Sequence, residues 1–400
     1  MLWAILMFNH FSLIIFLLIS ITFSISSVAT TFYPIDYEDS RKEFRKVAKR
    51  LSMTHPDLIY NFFKVPSRID SDLTTDYIYI PAKKMTEKLL IITSGVHGVE
   101  TFTSSAIQQM FLNEILPTVD LNKMGLLMIH SLNPYGFKYK RRVTENNVDL
   151  NRNFILERGP FKDPNDKYQT FRDFLNPPEK LSIGFFSKIS HIVKTLFYSI
   201  RYGRPAFRQA ILQGQYSYEK GIYFGGKVNE PQVSLLKHLL LTTAGPYKEV
   251  FAIDLHTGYG KRGTCHFFGL GKNVKSNTDI IEKVFKGYKI DGGQEGNFYT
   301  TTGDFPRFVE QILKNKKTVV MTFEYGTLDS QTTLGAIESL RRSSVENQGV
   351  QFGYDSKDDQ NKSIKDFLDM FNPPDPKWRE KVLTDSRKIF PNVIKNFLAY

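Results

Sequence analysis

The sequence predicts an α/β fold, a mixed and largely parallel central sheet flanked by helices on both faces. Four continuous apolar runs rich in branched aliphatics, at residues 89–92, 125–134, 250–258 and 318–326, read as buried strands. Stretches with helical spacing separate them, at 41–52, 100–116, 231–243, 277–288 and 337–345. Length agrees, since roughly 370 residues behind a leader suit one large domain with an elaboration.

Residues 1–27 carry no Lys, Arg, Asp or Glu, and 11–23 form an apolar core. Residues 1–29 therefore read as a secretory signal with small residues at 27–29, or as a retained N-terminal anchor. Both readings predict an exported protein, periplasmic, secreted or membrane-anchored, whose folded domain is 32–400. Residues 32–85 leave room for a short extra layer beside the helix at 41–52. The run at 89–92 ends in the turn Ser94-Gly-Val-His-Gly-Val-Glu100, which leads into the helix at 100–116. The second run leads to the polar segment Asn147-Val-Asp-Leu-Asn-Arg-Asn-Phe154. A proline-punctuated insertion follows at about 155–228. Within it, 181–198 has apolar residues at three- and four-residue spacing, with Lys188 and Lys194 on other faces. That pattern fits a helix packed on the domain over the mouth of the site, or a helix lying on a membrane surface. Past the run at 250–258, residues 264–270 read as a further strand. From Asp355 two closing helices are expected, divided by Pro373, Pro374 and Pro376.

The chemistry concentrates at the ends of the buried runs. His97 and Glu100 sit on one strand-to-helix turn, where an imidazole and a carboxylate converge in a metal-binding geometry. His256 closes the third run, and parallel strands bring such carboxyl ends together. Three ligands from His and Glu, with one position left for water, is the usual form of a catalytic zinc site. Adding 147–154 and the carboxylate Glu324 at the end of the fourth run, the ordered set resembles the zinc carboxypeptidase superfamily. It looks closest to a poorly characterised, mostly bacterial carboxypeptidase-like branch, in which a Gly-Gln-Tyr and a later Gly-Gly pair are typical. Here these are Gly214-Gln-Tyr216 and Gly225-Gly226. The resemblance covers roughly 85–345.

That resemblance implies Zn2+ held by His97, Glu100 and His256. It implies Glu324 as general base and then general acid, and Arg142 as the residue polarising the scissile carbonyl. The neighbouring Arg141 is the alternative to Arg142. Asn151 and Arg152 match the clamp for a terminal carboxylate, and Asp149 matches a carboxylate orienting the first histidine. Asp254 lies on the strand face of His256 and could orient it, without a motif to say so. No tyrosine matches the one many carboxypeptidases place over substrate; Tyr299 and Tyr325 are candidates by chemistry alone. The implied activity is hydrolysis of an amide near a free carboxylate, in a peptide or an N-acyl amino acid. An aspartoacylase- or succinylglutamate desuccinylase-like deacylase and a non-catalytic binder of peptide termini are the alternatives.

Composition narrows the rest. The single Cys265 excludes an intramolecular disulfide and a cysteine-rich metal site. Alternation places Cys265 and His266 on opposite faces of their strand, against a Cys-His nucleophile. The net charge of +12 comes with no nucleic-acid-binding motif, so an anionic membrane or cell-envelope surface suits it better.

Overall fold

The computed structural model describes residues 32–84, 87–156, 161, 165–269, 278–291 and 301–400. The expected leader at 1–29 and the candidate Tyr299 lie outside the described residues. The strands are β1 (Ile59–Lys64), β2 (Thr74–Ile80), β3 (Lys88–Ser94), β4 (Met124–His130), β5 (Glu249–Gly258), β6 (Cys265–Gly269), β7 (Ile290–Asp291) and β8 (Lys317–Gly326). They form one sheet in the order β1-β2-β4-β3-β5-β8-β6-β7. The centre, β4-β3-β5-β8, is parallel, and β2 and β6 join it antiparallel. The four apolar runs are these four central strands, as their unbroken burial requires.

Both faces of the sheet are covered. On one face Leu90, Ile92, Phe251, Ile253, Met321 and Phe323 pack against α1 (Tyr37–Ser52), α2 (Thr101–Met110) and α12 (Pro376–Ala399). On the other, Leu89, Ile91, Val250, Ala252 and Val320 meet α7 (Pro231–Ala244) and α9 (Phe305–Ile312). The short α3 (Pro134–Lys138) follows β4, and α8 (Thr278–Val284) precedes β7. α10 (Thr333–Phe352) and α11 (Lys357–Phe371) precede α12.

Several helices differ from expectation at their ends. α1 starts four residues early because Asp36 caps it, its side chain accepting from Asp39 N at 2.8 Å. α10 spans twenty residues rather than 337–345, capped by Thr332 and ended at Gly353 (φ +90°). β1, β2 and α9 have no counterpart among the elements expected from sequence. The expected helix at 277–288 is shorter, and residue 277 lies outside the described residues.

Within 155–228, α4 (Tyr168–Leu175), α5 (Phe185–Tyr202) and α6 (Arg204–Leu212) share a small core of Tyr168, Phe171, Phe174, Phe207 and Ile211. No helix among the described residues is long and apolar enough to cross a membrane.

Candidate metal centre

The chain leaves β3, forms β4 on one side of it, and returns as β5 on the other. That reversal opens a crevice at the carboxyl ends of the strands. His97 and Glu100 follow β3, while His256 on β5 is the direct register neighbour of Glu324 on β8. A cavity of about 570 Å³ opens there, lined by His97, Glu100, Arg142, Asn151, Arg152, His256 and Glu324. All seven predicted site residues therefore meet in one cavity.

The turn that carries His97 and Glu100 depends on glycine. A Cβ on Gly98 would stand 2.2 Å from the backbone carbon of Gly136 in α3, so only glycine permits this approach. The resulting contact lets Gly98 N donate to Arg142 O at 3.1 Å and Val99 N to Arg141 O at 2.8 Å.

Both imidazoles present Nδ1 to the carboxylate of Glu100. His97 Nδ1 lies 2.8 Å from Oε1 and His256 Nδ1 lies 2.9 Å from Oε2. One ligand atom from each of the three residues falls within 4.8 Å of the others. The far nitrogens are held by carboxylates, His97 Nε2 at 3.2 Å from Asp149 and His256 Nε2 at 2.6 Å from Asp254. With the ring proton kept on Nε2 by these carboxylates, Nδ1 would be the nitrogen each ring offers to a divalent metal in place of its contact with Glu100. The donor set fits a zinc ion on chemistry and spacing. Asp254, which has no motif, is placed as firmly as Asp149. Its other oxygen accepts from Thr93 Oγ1 at 3.0 Å.

Charge is concentrated here. Burial disfavours ionised Glu100, yet the charges of His97 and His256 outweigh it and hold the carboxyl well below its usual range. Burial likewise opposes a charged His256, but Asp254 and Glu100 raise it well above the ordinary imidazole value. For Asp149, Arg142 and His97 prevail over burial and keep it ionised. Glu324 goes the other way. Burial and the charge of Glu100 push it up to about 8, although Tyr259 N donates to Oε1 at 2.9 Å.

The two adjacent arginines separate cleanly. Arg142 lines the cavity, its Nε donating to Asp149 at 3.0 Å and its NH1 lying 3.5 Å from Glu100. Arg141 turns away into a buried pair with Glu346 at 2.7 Å. Arg152 is buried, with NH1 on the carbonyl of Asn151 and NH2 on that of Leu212. Its Nε has no hydrogen-bond partner among the described residues. Gly214, at φ +97°, lies so close to the Arg152 side chain that a Cβ would stand 2.7 Å from Cδ. The Gly-Gln-Tyr motif therefore packs around this arginine, and Tyr216 donates to Arg152 O at 2.7 Å. Asn151 Oδ1 accepts from Phe305 N at 2.9 Å, which leaves its amide nitrogen as the donor for a ligand.

Tyr325 is not a substrate tyrosine. Strand alternation turns it away from the Glu324 face into the core, where its hydroxyl meets Ser386 at 2.6 Å. Cys265 and His266 likewise fall on opposite faces; His266 Nδ1 pairs with Asp291 at 2.7 Å while Cys265 packs against the core. Among the described residues, the tyrosines that line the cavity are Tyr223 and Tyr259. The guanidinium of Arg142 stacks over the Tyr223 ring at 5.4 Å. The sequence marks Tyr223 only by its place before the Phe224-Gly225-Gly226 segment, and Tyr259 only by its place after His256-Thr257-Gly258.

The model of the family described as protein of unknown function (DUF2817) matches residues 33–385. The chain belongs to the DUF2817 family. No curated protein sequence matches it. Solved structures similar to this DUF2817 chain include carboxypeptidases, the kind its motifs resemble. Carboxypeptidase A of Helicoverpa armigera is 13% identical, with a TM-score of 0.48, over 92% of this chain and 75% of the other. Bovine thrombin-activatable fibrinolysis inhibitor, in complex with tick carboxypeptidase inhibitor, is 12% identical, with a TM-score of 0.42, over 87% and 96%. The ectoine utilization protein EutE (DoeB) of Ruegeria pomeroyi is 16% identical, with a TM-score of 0.35, over 73% and 67%.

Proposed function

We propose that the chain is a zinc-dependent, carboxypeptidase-like hydrolase that cleaves an amide bond near a free carboxylate. The observation that carries this reading is the convergence of His97 Nδ1, Glu100 and His256 Nδ1, each histidine oriented by its own carboxylate, with Glu324 beside them. Zinc at these three residues supplies a water whose pKa is lowered toward ~7 and a Lewis acid for the carbonyl.

The chain's own groups account for the remaining steps. Glu324 accepts a proton from the attacking water and delivers it to the departing amine nitrogen. Arg142, fixed by Asp149, directs its guanidinium at the developing carbonyl oxygen. Asn151 and Arg152, which both line the cavity, bind the substrate carboxylate on the leaving side. Export through residues 1–29 belongs to the same reading.

The test is the Glu324→Gln variant beside the wild type. Both are loaded with zinc and assayed on acylated dipeptides, N-acyl amino acids and the same compounds with the carboxylate amidated. The variant keeps one zinc per chain and loses turnover by on the order of 10²–10⁴-fold or more, and the amidated compounds are poor substrates. Equal turnover in the variant removes Glu324 from the role. Hydrolysis indifferent to amidation removes the carboxylate clamp.

A further inference from the structure

The helix α5 (Phe185–Tyr202) carries its apolar residues on the wrong side for a packed helix. At about 100° per residue, Phe185, Phe186, Ile189, Val193, Phe197 and Ile200 fall on one stripe about 120° wide. That stripe faces solvent: Phe186 and Ile200 are each 83% exposed and Val193 is 58% exposed. The face packed on the domain holds His191, Thr195 and Tyr198, with His191 against Phe174 at 4.9 Å. A contiguous apolar stripe of this size on a surface marks a place of contact with something else.

Charge identifies the occupant. Residues 180–218 contain six Lys or Arg and no Asp or Glu. Lys194 and Arg201 border the stripe on one side and Lys188 stands on the other, all exposed. A second copy of the chain on this stripe would bring these like charges together across a two-fold axis. An anionic headgroup layer would receive them, with the aromatic and aliphatic side chains entering the acyl boundary. With three basic residues among its eighteen, α5 suits the plane of an interface and not a crossing.

We propose that α5 is an interfacial helix that docks the protein on an anionic lipid bilayer. The opposite side of the same helix presents Thr195 and Ser199 to the cavity that contains Glu324. Docking therefore sets the cavity directly behind α5, with the helix between it and the lipid surface. Membrane docking stands or falls independently of hydrolysis.

The experiment uses the full chain and vesicles of phosphatidylcholine, with or without phosphatidylglycerol. A Phe197→Trp variant reports from the stripe, read as its difference from the wild type so that Trp3 and Trp378 cancel. Phosphatidylglycerol vesicles shift the added tryptophan to the blue and shield it from iodide, and salt weakens the effect. Phe186→Ser/Ile200→Ser, added to the reporter, weakens this partition by on the order of tenfold or more with unchanged circular dichroism. Lys194→Gln/Arg201→Gln removes the preference for phosphatidylglycerol. An unmoved reporter signal on vesicles that pellet the protein by another segment overturns the proposal. So does an equal response to phosphatidylcholine alone, or a shift that follows protein concentration without lipid, which would make the stripe a self-association surface.

Discussion

Asp254→Ala removes the carboxylate that holds His256 Nε2 at 2.6 Å and accepts from Thr93 Oγ1 at 3.0 Å. Asp254 is fully buried, so water does not readily replace it, and the ring loses the contact that fixes Nδ1 toward Glu100. Carboxylates in this position typically contribute about 10–100-fold in metal affinity. At about 1.36 kcal/mol per factor of ten, that is about 1.4–2.7 kcal/mol. Complete burial puts the alanine variant near the upper end. Asp254→Asn, which keeps an acceptor oxygen and nearly the same volume, falls near the lower. The assay titrates metal-free protein with zinc against a chromophoric chelator, with metal-free thermal melts to check the fold. At zinc about 100-fold above the wild-type Kd, mass action stabilises the wild type by about 2.7 kcal/mol and a 100-fold weaker variant by about 0.4 kcal/mol. Zinc affinity within about twofold of wild type in Asp254→Ala, with an unchanged metal-free melt, refutes the reasoning.

Gly98→Ala forces the metal turn away from Gly136, because its Cβ would stand 2.2 Å from a backbone carbon. It should lower stability by about 1–3 kcal/mol and weaken zinc binding as well, measured by urea denaturation and zinc titration. His130 is buried and its pKa is lowered to about 4, against an ordinary 6.5. The native imidazole stays neutral where the unfolded one protonates. Its contribution is therefore complete above pH 6.5 and is lost as pH falls toward about 4, by up to about 3 kcal/mol. Urea curves across that window should show a shallower pH slope in His130→Gln. Arg141→Ala leaves Glu346 buried without its guanidinium, and should cost about 3–5 kcal/mol. The double variant Arg141→Met/Glu346→Leu should cost clearly less than the two single changes summed, by denaturation midpoints.

The central strands and the ends that carry the metal residues are legible in the sequence because both signals are local. Unbroken aliphatic runs such as 89–92 specify buried parallel strands, and the residue that ends each run lies where the crevice forms. Tyr325 is a candidate on chemistry alone and fails, because the period of two sets it opposite Glu324. Arg141 and Arg142 cannot be separated by sequence, because what divides them is a distant partner, Glu346 for one and Asp149 for the other. The same holds for Tyr223, which the fold of 213–226 brings over Arg142. β1 and α9 escape notice for a different reason. β1 shows a mostly exposed pattern without a long apolar run, and α9 is only eight residues long.

The close approach of Gly98 to Gly136 has a consequence for how metal and fold are linked. Two backbone amides fasten the turn to the loop of Arg141 and Arg142, and a carboxylate from the chain itself holds the far nitrogen of each histidine. Unlike a zinc finger, which has no shape without its ion, this chain assembles its ligands from its own hydrogen bonds. A strong chelator should therefore silence the site while leaving a melting transition behind. Amide hydrogens at Gly98 and Val99 should exchange slowly with solvent deuterium whether or not the ion is present.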